Sequence, residues 1–224
     1  MAVLVYGASG TLGTAISSRL INKGFAVERL STTQDYSDFT KIDPEGRWNQ
    51  RFTQSSSING IVFAQGKNAN DDIFDPVSIM DLFEANLLFV INEISQLLRI
   101  RSLDKNCSIV IISSIWQNFA RTKKLSYAIS KSAISGLVKS LVADLGPLGI
   151  RINAILPGVI DSPMTRKMIS VEVLNRVIDE TPSRELVTDV QVAELTSWLI
   201  STESRGINGQ FITIDNGWSS VRLI

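Results

Sequence analysis

The chain contains no histidine, one cysteine and no net charge. Histidine is the side chain whose ordinary pKa lies near neutral pH, so acid-base chemistry here must use another group. A lone cysteine, Cys107, excludes an internal disulfide bond, and the lack of histidine and of a cysteine cluster predicts no transition-metal site. Basic and acidic residues both number 22, so no sequence-wide field favours nucleic acid or an anionic membrane as a partner.

Signals for export or membrane insertion are also absent from the sequence. The N-terminal run MAVLVYG lacks a basic region and is too short for a signal peptide. The most apolar later segment, LFEANLLFVINEISQLL, carries Glu84 and Glu93, which would be costly in lipid. We expect a cytoplasmic protein that forms one domain over residues 1–224 and has no membrane or nucleic-acid partner.

Short apolar runs alternate with helical patterns along the whole chain, which predicts an α/β fold with a parallel sheet of about seven strands. Runs such as IVIIS show little polar alternation, as expected of strands that helices cover on both faces. Strands are predicted at 3–6, 25–30, 39–42, 60–64, 108–113, 150–156 and 210–214. Helices are predicted at 12–23, 76–101, 126–145, 170–179 and 190–201.

The segment YGASGTLG links the first predicted strand to the first helix. Its glycines, Gly7, Gly10 and Gly13, permit a tight turn and let a phosphate approach the backbone, while the helix N-terminus supplies N–H groups and a positive dipole. This context predicts a dinucleotide-binding loop. A purely structural strand-to-helix turn is the alternative, because the glycine spacing alone is a weak signal.

The end of the second predicted strand bears on the choice between NAD and NADP. An acidic residue there would bind the adenosine ribose and repel a 2′-phosphate. Here Ser31 and Thr32 occupy these positions, Glu28 comes too early and Asp35 falls beyond the turn. The sequence therefore favours NADP(H) over NAD(H).

Tyr127 and Lys131 stand four residues apart and share one face of a predicted helix. A free phenol titrates near ~10, and a nearby cation favours its ionised form, so this pair could supply the acid-base group that histidine does not. An ordinary surface pair is the alternative reading of the spacing. Ser114 ends an apolar strand, which places its hydroxyl at the carboxyl edge of the sheet, where ligands of such folds bind.

Six features of the sequence, in this order, resemble the short-chain dehydrogenase/reductase family. They are GASGTLG at 7–13, FAQG at 63–66, Asn86, the set of Ser114, Tyr127 and Lys131, PGVIDSPM at 157–164 and INGQFITIDNG at 207–217. The resemblance implies a Rossmann-type, doubly wound sheet and an NAD(P)-dependent oxidoreductase. Such an enzyme moves a hydride between the nicotinamide and a small-molecule carbonyl or secondary alcohol.

The resemblance also implies roles for individual residues. Tyr127 resembles the general acid/base, and Ser114 the residue that hydrogen-bonds the substrate oxygen. Lys131 resembles the residue that lowers the pKa of the tyrosine and holds the nicotinamide ribose. Asn86 resembles an asparagine that fixes a water in a proton relay, although a backbone group could equally satisfy its amide. The implied cofactor-binding residues are Gly7, Ser9, Gly10, Thr11, Leu12, Gly13, Ser31, Thr32, Asp43, Ala64, Gly66, Tyr127, Lys131, Pro157, Gly158, Ile160 and Ser162.

The chain departs from the family pattern in three places. Thr11 stands where the family usually has glycine, and FAQG replaces the usual Asn-Asn-Ala-Gly. Asp43, at which the third departure begins, resembles the acid that touches the adenine, but it could instead cap a helix. The short stretch from Asp43 to Gly66 predicts that the third crossover helix is reduced to a turn or two.

Three further expectations concern the function, the covering of the pocket and the assembly. A catalytically idle relative that senses dinucleotides or acts as a scaffold is the alternative, although retention of all four catalytic-type residues favours an enzyme. Residues 162–186 are expected to cover the pocket as a lid. The helices at 81–101 and 126–145 carry more apolar residues than one sheet face needs, and in the family resembled they form a two-fold interface. We expect a homodimer or homotetramer.

Overall fold

A parallel sheet organises the part of the chain that the computed structural model describes, residues 2–31, 40–41, 57–76, 79–100 and 102–221. Its seven strands there are β1 (Ala2–Tyr6), β2 (Ala26–Ser31), β3 (Thr40–Lys41), β4 (Ile58–Phe63), β5 (Leu103–Ile112), β6 (Arg151–Pro157) and β7 (Phe211–Ile214). They lie in the order β3-β2-β1-β4-β5-β6-β7, and every pair is parallel. All strand carboxyl ends therefore meet at one edge.

Helices cover both faces of this sheet. They are α1 (Thr11–Asn22), α2 (Ile79–Phe83), α3 (Phe89–Arg99), α4 (Leu125–Leu145), α5 (Pro163–Met168), α6 (Val171–Glu180) and α7 (Asp189–Ile200). Leu97 of α3 and Val138 of α4 belong to one apolar cluster, and Leu20 of α1 and Leu199 of α7 belong to the other. The predicted doubly wound Rossmann-type fold is confirmed.

The strand β1 illustrates why this arrangement follows from the sequence. Leu4 and Tyr6 pack in the cluster with α3 and α4, whereas Val3 and Val5 pack in the cluster with α1 and α7. Successive side chains point to opposite faces, so a strand buried on both faces has to be apolar at every position.

In the stretches that the structure describes, no helix has the length and apolar character needed to cross a membrane.

The predicted helix at 76–101 differs from the observed structure. A π-helical turn, Glu84–Leu88, separates α2 from α3. Such turns occur where outside contacts replace the regular helical ladder, and they are frequent at functional sites. The buried Asn86 lies in this turn, and its side chain bonds to a neighbouring loop.

Two smaller predictions also need correction. Strand β5 starts at Leu103, five residues before the predicted start, because Leu103 pairs with Ile58 across an irregularity in the register. The helix α5 precedes the predicted helix at 170–179, which is observed as α6. The predicted positions of Thr32 and Asp43, and the shortened crossover after Asp43, lie outside the described residues.

Candidate active site

The glycine loop between β1 and α1 is held by close backbone packing. Gly7 has a φ of +71°, and a Cβ there would lie 2.6 Å from the backbone nitrogen of Gln65. A Cβ on Gly13 would lie 2.1 Å from the carbonyl oxygen of Gly7, so no other residue fits without moving the backbone. The loop therefore needs glycine at both positions.

The N-terminus of α1 has the character of an anion-binding site. Gly10 caps the helix without a side-chain hydrogen bond, and the first turn carries no acidic residue. The positive end of the helix dipole and its free N–H groups meet the cleft beside Thr11 and Leu12. This geometry fits a pyrophosphate group.

A cleft of about 810 Å³ opens at the carboxyl edge of the sheet and brings most of the predicted site residues together. Gly13 and Asn86 are buried behind its lining. The predicted residues that line it are Gly7, Ser9, Gly10, Thr11, Leu12, Ser31, Ala64, Gly66, Ser114, Tyr127, Lys131, Pro157, Gly158, Ile160 and Ser162.

Tyr127, Ser114 and Lys131 meet on one wall of the cleft. The side chains of Tyr127 and Ser114 interact, and this interaction acts to lower the pKa of Tyr127. The Nζ atom of Lys131 lies 5.8 Å from the centroid of the Tyr127 ring and donates a 3.1 Å hydrogen bond to the carbonyl oxygen of Ile112. The one-turn spacing on α4 thus places the ammonium beside the phenol, as the sequence predicts.

The pKa of Tyr127 does not move in the predicted direction. Protein atoms crowd the phenol, and this burial raises the pKa of Tyr127 above 10.0, while the hydrogen bond from Ser114 opposes the rise. Burial also lowers the pKa of Lys131 to about 8. The expectation that Lys131 brings the phenol down towards neutral pH is therefore wrong for this structure, because desolvation raises the pKa of Tyr127 and Lys131 is not among the groups that lower it. The phenol is neutral at neutral pH, which suits a proton donor.

Asn86 connects the loop after β4 to α4. Its Oδ1 atom accepts a hydrogen bond of 2.8 Å from the backbone nitrogen of Lys67. Its Nδ2 atom donates to the Lys67 carbonyl oxygen at 3.1 Å and to Ser130 Oγ at 3.0 Å. A Cβ on Gly66 would lie 3.1 Å from Asn86 Oδ1 and 3.6 Å from Lys131 Nζ, so the glycine lets these groups approach. The backbone of Lys67 thus satisfies the amide of Asn86, as the alternative interpretation expects. The role of Asn86 in a proton relay stays a prediction.

The segment after β6 forms the opposite wall. A Cβ on Gly158 would lie 2.8 Å from Asp215 Cβ, which explains the glycine of the Pro-Gly turn. Ser162 lines the cleft and caps α5 by accepting a 3.1 Å hydrogen bond from the backbone nitrogen of Thr165. The segment predicted as a lid contains α5 and α6, and α5 lines the cleft through Met164, Thr165 and Met168.

Sequence reasoning missed the cationic wall of the cleft next to Tyr127. Lys124 is 5% exposed, and its Nζ atom lies 5.5 Å from the centroid of the Tyr127 ring. Arg121 lines the same cleft, with its guanidinium carbon 5.9 Å from the centroid of the Trp116 ring. The basic run of Arg121, Lys123 and Lys124, three to six residues before Tyr127, was a usable signal.

Comparisons with known proteins agree with this geometry. A family model described as enoyl-(acyl carrier protein) reductase matches residues 64–219. An uncharacterized oxidoreductase of Bacillus subtilis, YmfI, is 26% identical over 244 residues, which cover 96% of this chain and 97% of the relative. A 3-oxoacyl-[acyl-carrier-protein] reductase, FabG, of Thermotoga maritima is 30% identical over 136 residues, 61% of this chain and 55% of that reductase.

A solved structure gives the same result over the full length. A short-chain dehydrogenase family protein from Francisella tularensis superimposes with a TM-score of 0.85 at 27% identity, covering 98% of this chain and 99% of the other. The family model alone matches more than half of the chain. From fold, site geometry and these matches, the chain belongs to the short-chain dehydrogenase/reductase family.

Proposed function

We propose that this protein is an NAD(P)-dependent oxidoreductase that interconverts a carbonyl compound and a secondary alcohol, with Tyr127 as the general acid/base. The observation that carries the proposal is the joint placement, in one cleft, of a phosphate-fitting glycine loop and the side chains of Tyr127 and Ser114. Membership of the family supports the reaction class, and the relatives named above are oxidoreductases or reductases by name.

The residues along the cleft fit a nicotinamide dinucleotide. Gly7, Gly10 and the N-terminus of α1 would hold the pyrophosphate, and Lys131 with the Pro157–Gly158 turn would hold the nicotinamide half. When bound, the dinucleotide supplies or accepts the hydride. The protein positions the dinucleotide and the substrate and supplies or accepts the proton.

Ser114 and Tyr127 have complementary tasks towards the substrate oxygen. Both side chains line the cleft and interact with each other, so a carbonyl oxygen placed between their hydroxyls would accept two hydrogen bonds. In reduction, Tyr127 gives its proton to the developing alkoxide, and its raised pKa keeps that proton available at neutral pH. In oxidation, the same phenol has to be ionised first.

Incubation of the purified protein with NADPH or NADH and a panel of carbonyl compounds tests the proposal. We expect consumption of the reduced nicotinamide, followed by its absorbance. A dinucleotide that binds in calorimetry while no carbonyl or alcohol is turned over would favour the catalytically idle, dinucleotide-sensing alternative.

The substitution Ser31→Asp should shift the coenzyme preference towards NADH. Ser31 is buried, lines the cleft and shares a 3.0 Å hydrogen bond with Ser9 through their Oγ atoms. A carboxylate there would bind ribose hydroxyls and repel a 2′-phosphate, so the ratio of NADPH to NADH affinity should fall by roughly ten-fold to a hundred-fold. Titration of both coenzymes measures the ratio, and Ser31→Asn is the uncharged control. Tighter binding of NADH than NADPH by the wild type would contradict the proposed preference for NADP(H).

We also propose a homodimer or homotetramer that uses α3 and α4. Ile91 of α3 and Ile129 of α4 are 38% and 39% exposed, whereas Leu137 and Leu141 already pack against the core. The double substitution Ile91→Glu and Ile129→Glu should therefore dissociate the assembly, because an exposed apolar helix surface of this kind is usually covered by a partner subunit. Light scattering gives the mass, and Val171→Glu on α6 is the matched control. A wild type with the mass of one chain would contradict the assembly.

A further inference from the structure

Lys124 is a buried cation on the wall of the cleft that also carries Tyr127. Its Nζ atom donates hydrogen bonds of 2.7 Å to Asn68 Oδ1 and 3.0 Å to the carbonyl oxygen of Ala69. An ammonium has three N–H donors, and these two acceptors are neutral. The third N–H therefore remains for a group that enters the cleft.

The position of Lys124 is electrostatically costly. Burial, the largest cause, and the charge of Arg121 lower the pKa of Lys124, Asp71 opposes them, and the net result is a pKa of about 8. Lys124 also occupies the N-cap of α4, where the helix dipole disfavours a cation and where Ser, Thr, Asp or Asn is preferred. A charge kept at such a cost inside a cleft marks a functional position more often than a structural one.

The charges around Lys124 favour an anion on this wall. The acidic residues that line the described part of the cleft, Asp81 and Glu84, are both exposed, and Asp81 lies 4.0 Å from Lys67. The nearby Asp71 accepts hydrogen bonds from the backbone nitrogen and the hydroxyl of Ser126, so it caps α4. The wall beside Tyr127 thus combines Lys124, Lys131 and Arg121.

Asn68 gives this wall a second donor. Its Oδ1 atom is engaged by Lys124, while its Nδ2 atom contacts the Sδ atom of Met168 at 3.7 Å. A thioether is a weak acceptor, so the amide N–H groups remain available for a stronger one. The ammonium and the amide lie side by side, an arrangement that suits the two oxygen atoms of a carboxylate.

We infer that Lys124, with Asn68 and Arg121, binds a carboxylate of the substrate, so that the substrate is an oxo acid or the corresponding hydroxy acid. This inference rests on the proposed function, since it names the substrate class of the same site. Lys124 determines specificity by fixing the acid end while the carbonyl oxygen lies between Ser114 and Tyr127. The competing explanation is a structural clamp, in which Lys124 only joins α4 to the loop of Asn68 and Ala69.

The test compares acids with their methyl esters. Pyruvate, acetoacetate and levulinate place the carboxylate at increasing distance from the ketone, and each methyl ester removes the charge while keeping the carbonyl. With the reduced dinucleotide, we expect kcat/KM of the wild type to favour at least one acid over its ester by roughly ten-fold or more. Dihydroxyacetone phosphate against dihydroxyacetone distinguishes a carboxylate site from a phosphate site.

Variants assign this preference to Lys124. Lys124→Gln should reduce the acid-to-ester ratio by roughly ten-fold to a hundred-fold, and Arg121→Gln by a smaller factor. Lys139→Gln changes an exposed lysine on the same helix and should leave the ratio unchanged. The ratio should also fall as the pH rises through about 8, because Lys124 then loses its charge. Burial lowers the pKa of Lys131 to about 8 as well, so the fall is assigned to Lys124 only if it disappears in Lys124→Gln.

A binding measurement separates this inference from the proposed function. The oxidised dinucleotide with an oxo acid forms a complex that cannot react, and calorimetry gives the affinity of the acid in that complex. Acid-selective binding that Lys124→Gln abolishes, without turnover of any compound, would support the carboxylate site and refute the proposed reaction. Turnover with equal kcat/KM for acids and esters would overturn the carboxylate site alone. A preference confined to dihydroxyacetone phosphate would also overturn the carboxylate site. The same holds for a Lys124→Gln variant that loses thermal stability and turns over the acid and the ester equally slowly.

Discussion

Replacement of Tyr127 by Phe should lower turnover by at least ~100-fold, the usual contribution of general acid-base catalysis. The change removes one hydroxyl and keeps the ring that packs beside Lys124 and Lys131. Dinucleotide affinity and the unfolding temperature should stay close to those of the wild type. Initial rates under conditions where chemistry is rate-limiting measure the effect.

The readouts distinguish a catalytic from a structural hydroxyl. If the hydroxyl of Tyr127 only stabilised the fold, the variant would unfold at lower temperature while its turnover stayed near that of the wild type. That result would contradict the proposed mechanism. Ser114→Ala is the companion variant, because it removes the other donor to the substrate oxygen and leaves the phenol in place.

The pH dependence of the wild type follows from the raised pKa of Tyr127. Burial disfavours the phenolate, so the phenol keeps its proton above its ordinary pKa of 10.0 in the protein without a ligand. Reduction should therefore persist across neutral pH and decline only in alkaline solution. Oxidation, which needs the ionised phenol, should speed up as the pH rises.

Strands and outer helices could be predicted because they depend on local patterns. The apolar runs of β1 and of residues 109–112 in β5 are continuous, which requires helices on both faces. Features set by distant partners could not be predicted in this way. The π-helical turn at Glu84–Leu88 places Asn86 against the backbone of Lys67, 19 residues earlier in the chain.

The site shows the same division between local and distant causes. The spacing of Tyr127 and Lys131 correctly placed the two groups side by side, but the direction of the pKa of Tyr127 depends on burial, which spacing does not encode. The burial of Lys124 could not be predicted, because its partners Asn68 and Ala69 lie 56 and 55 residues away in the chain. Its burial appears only when the loop after β4 folds over the start of α4.

Replacement of Lys131 by Met should abolish most turnover and change how stability depends on pH. Lys131 is 4% exposed, and burial lowers its pKa from 10.5 to about 8. Between these two values the unfolded chain binds a proton that the folded protein does not, so Lys131 makes the wild type more stable as the pH rises. At about 1.4 kcal/mol for each tenfold change in proton affinity, the full contribution is about 3 kcal/mol.

The difference in unfolding free energy between wild type and Lys131→Met isolates this contribution, because titration of Lys124 and of the tyrosines occurs in both proteins. We expect the difference to be flat below pH 8 and then to move in favour of the wild type as the pH approaches 10.5. Below pH 8 the variant avoids a buried charge but leaves the carbonyl oxygen of Ile112 without its donor, so the two effects partly offset.

Denaturant titrations of both proteins from neutral to alkaline pH measure this difference. Lys139→Met, at an exposed position of α4, should show no such pH dependence. Loss of turnover by at least ~100-fold should accompany the Lys131 substitution, since the charge beside the phenol disappears and the nicotinamide half loses a binding group. A difference that stays constant across the alkaline range would mean that burial does not lower the pKa of Lys131, and its placement in a desolvated site would then be wrong.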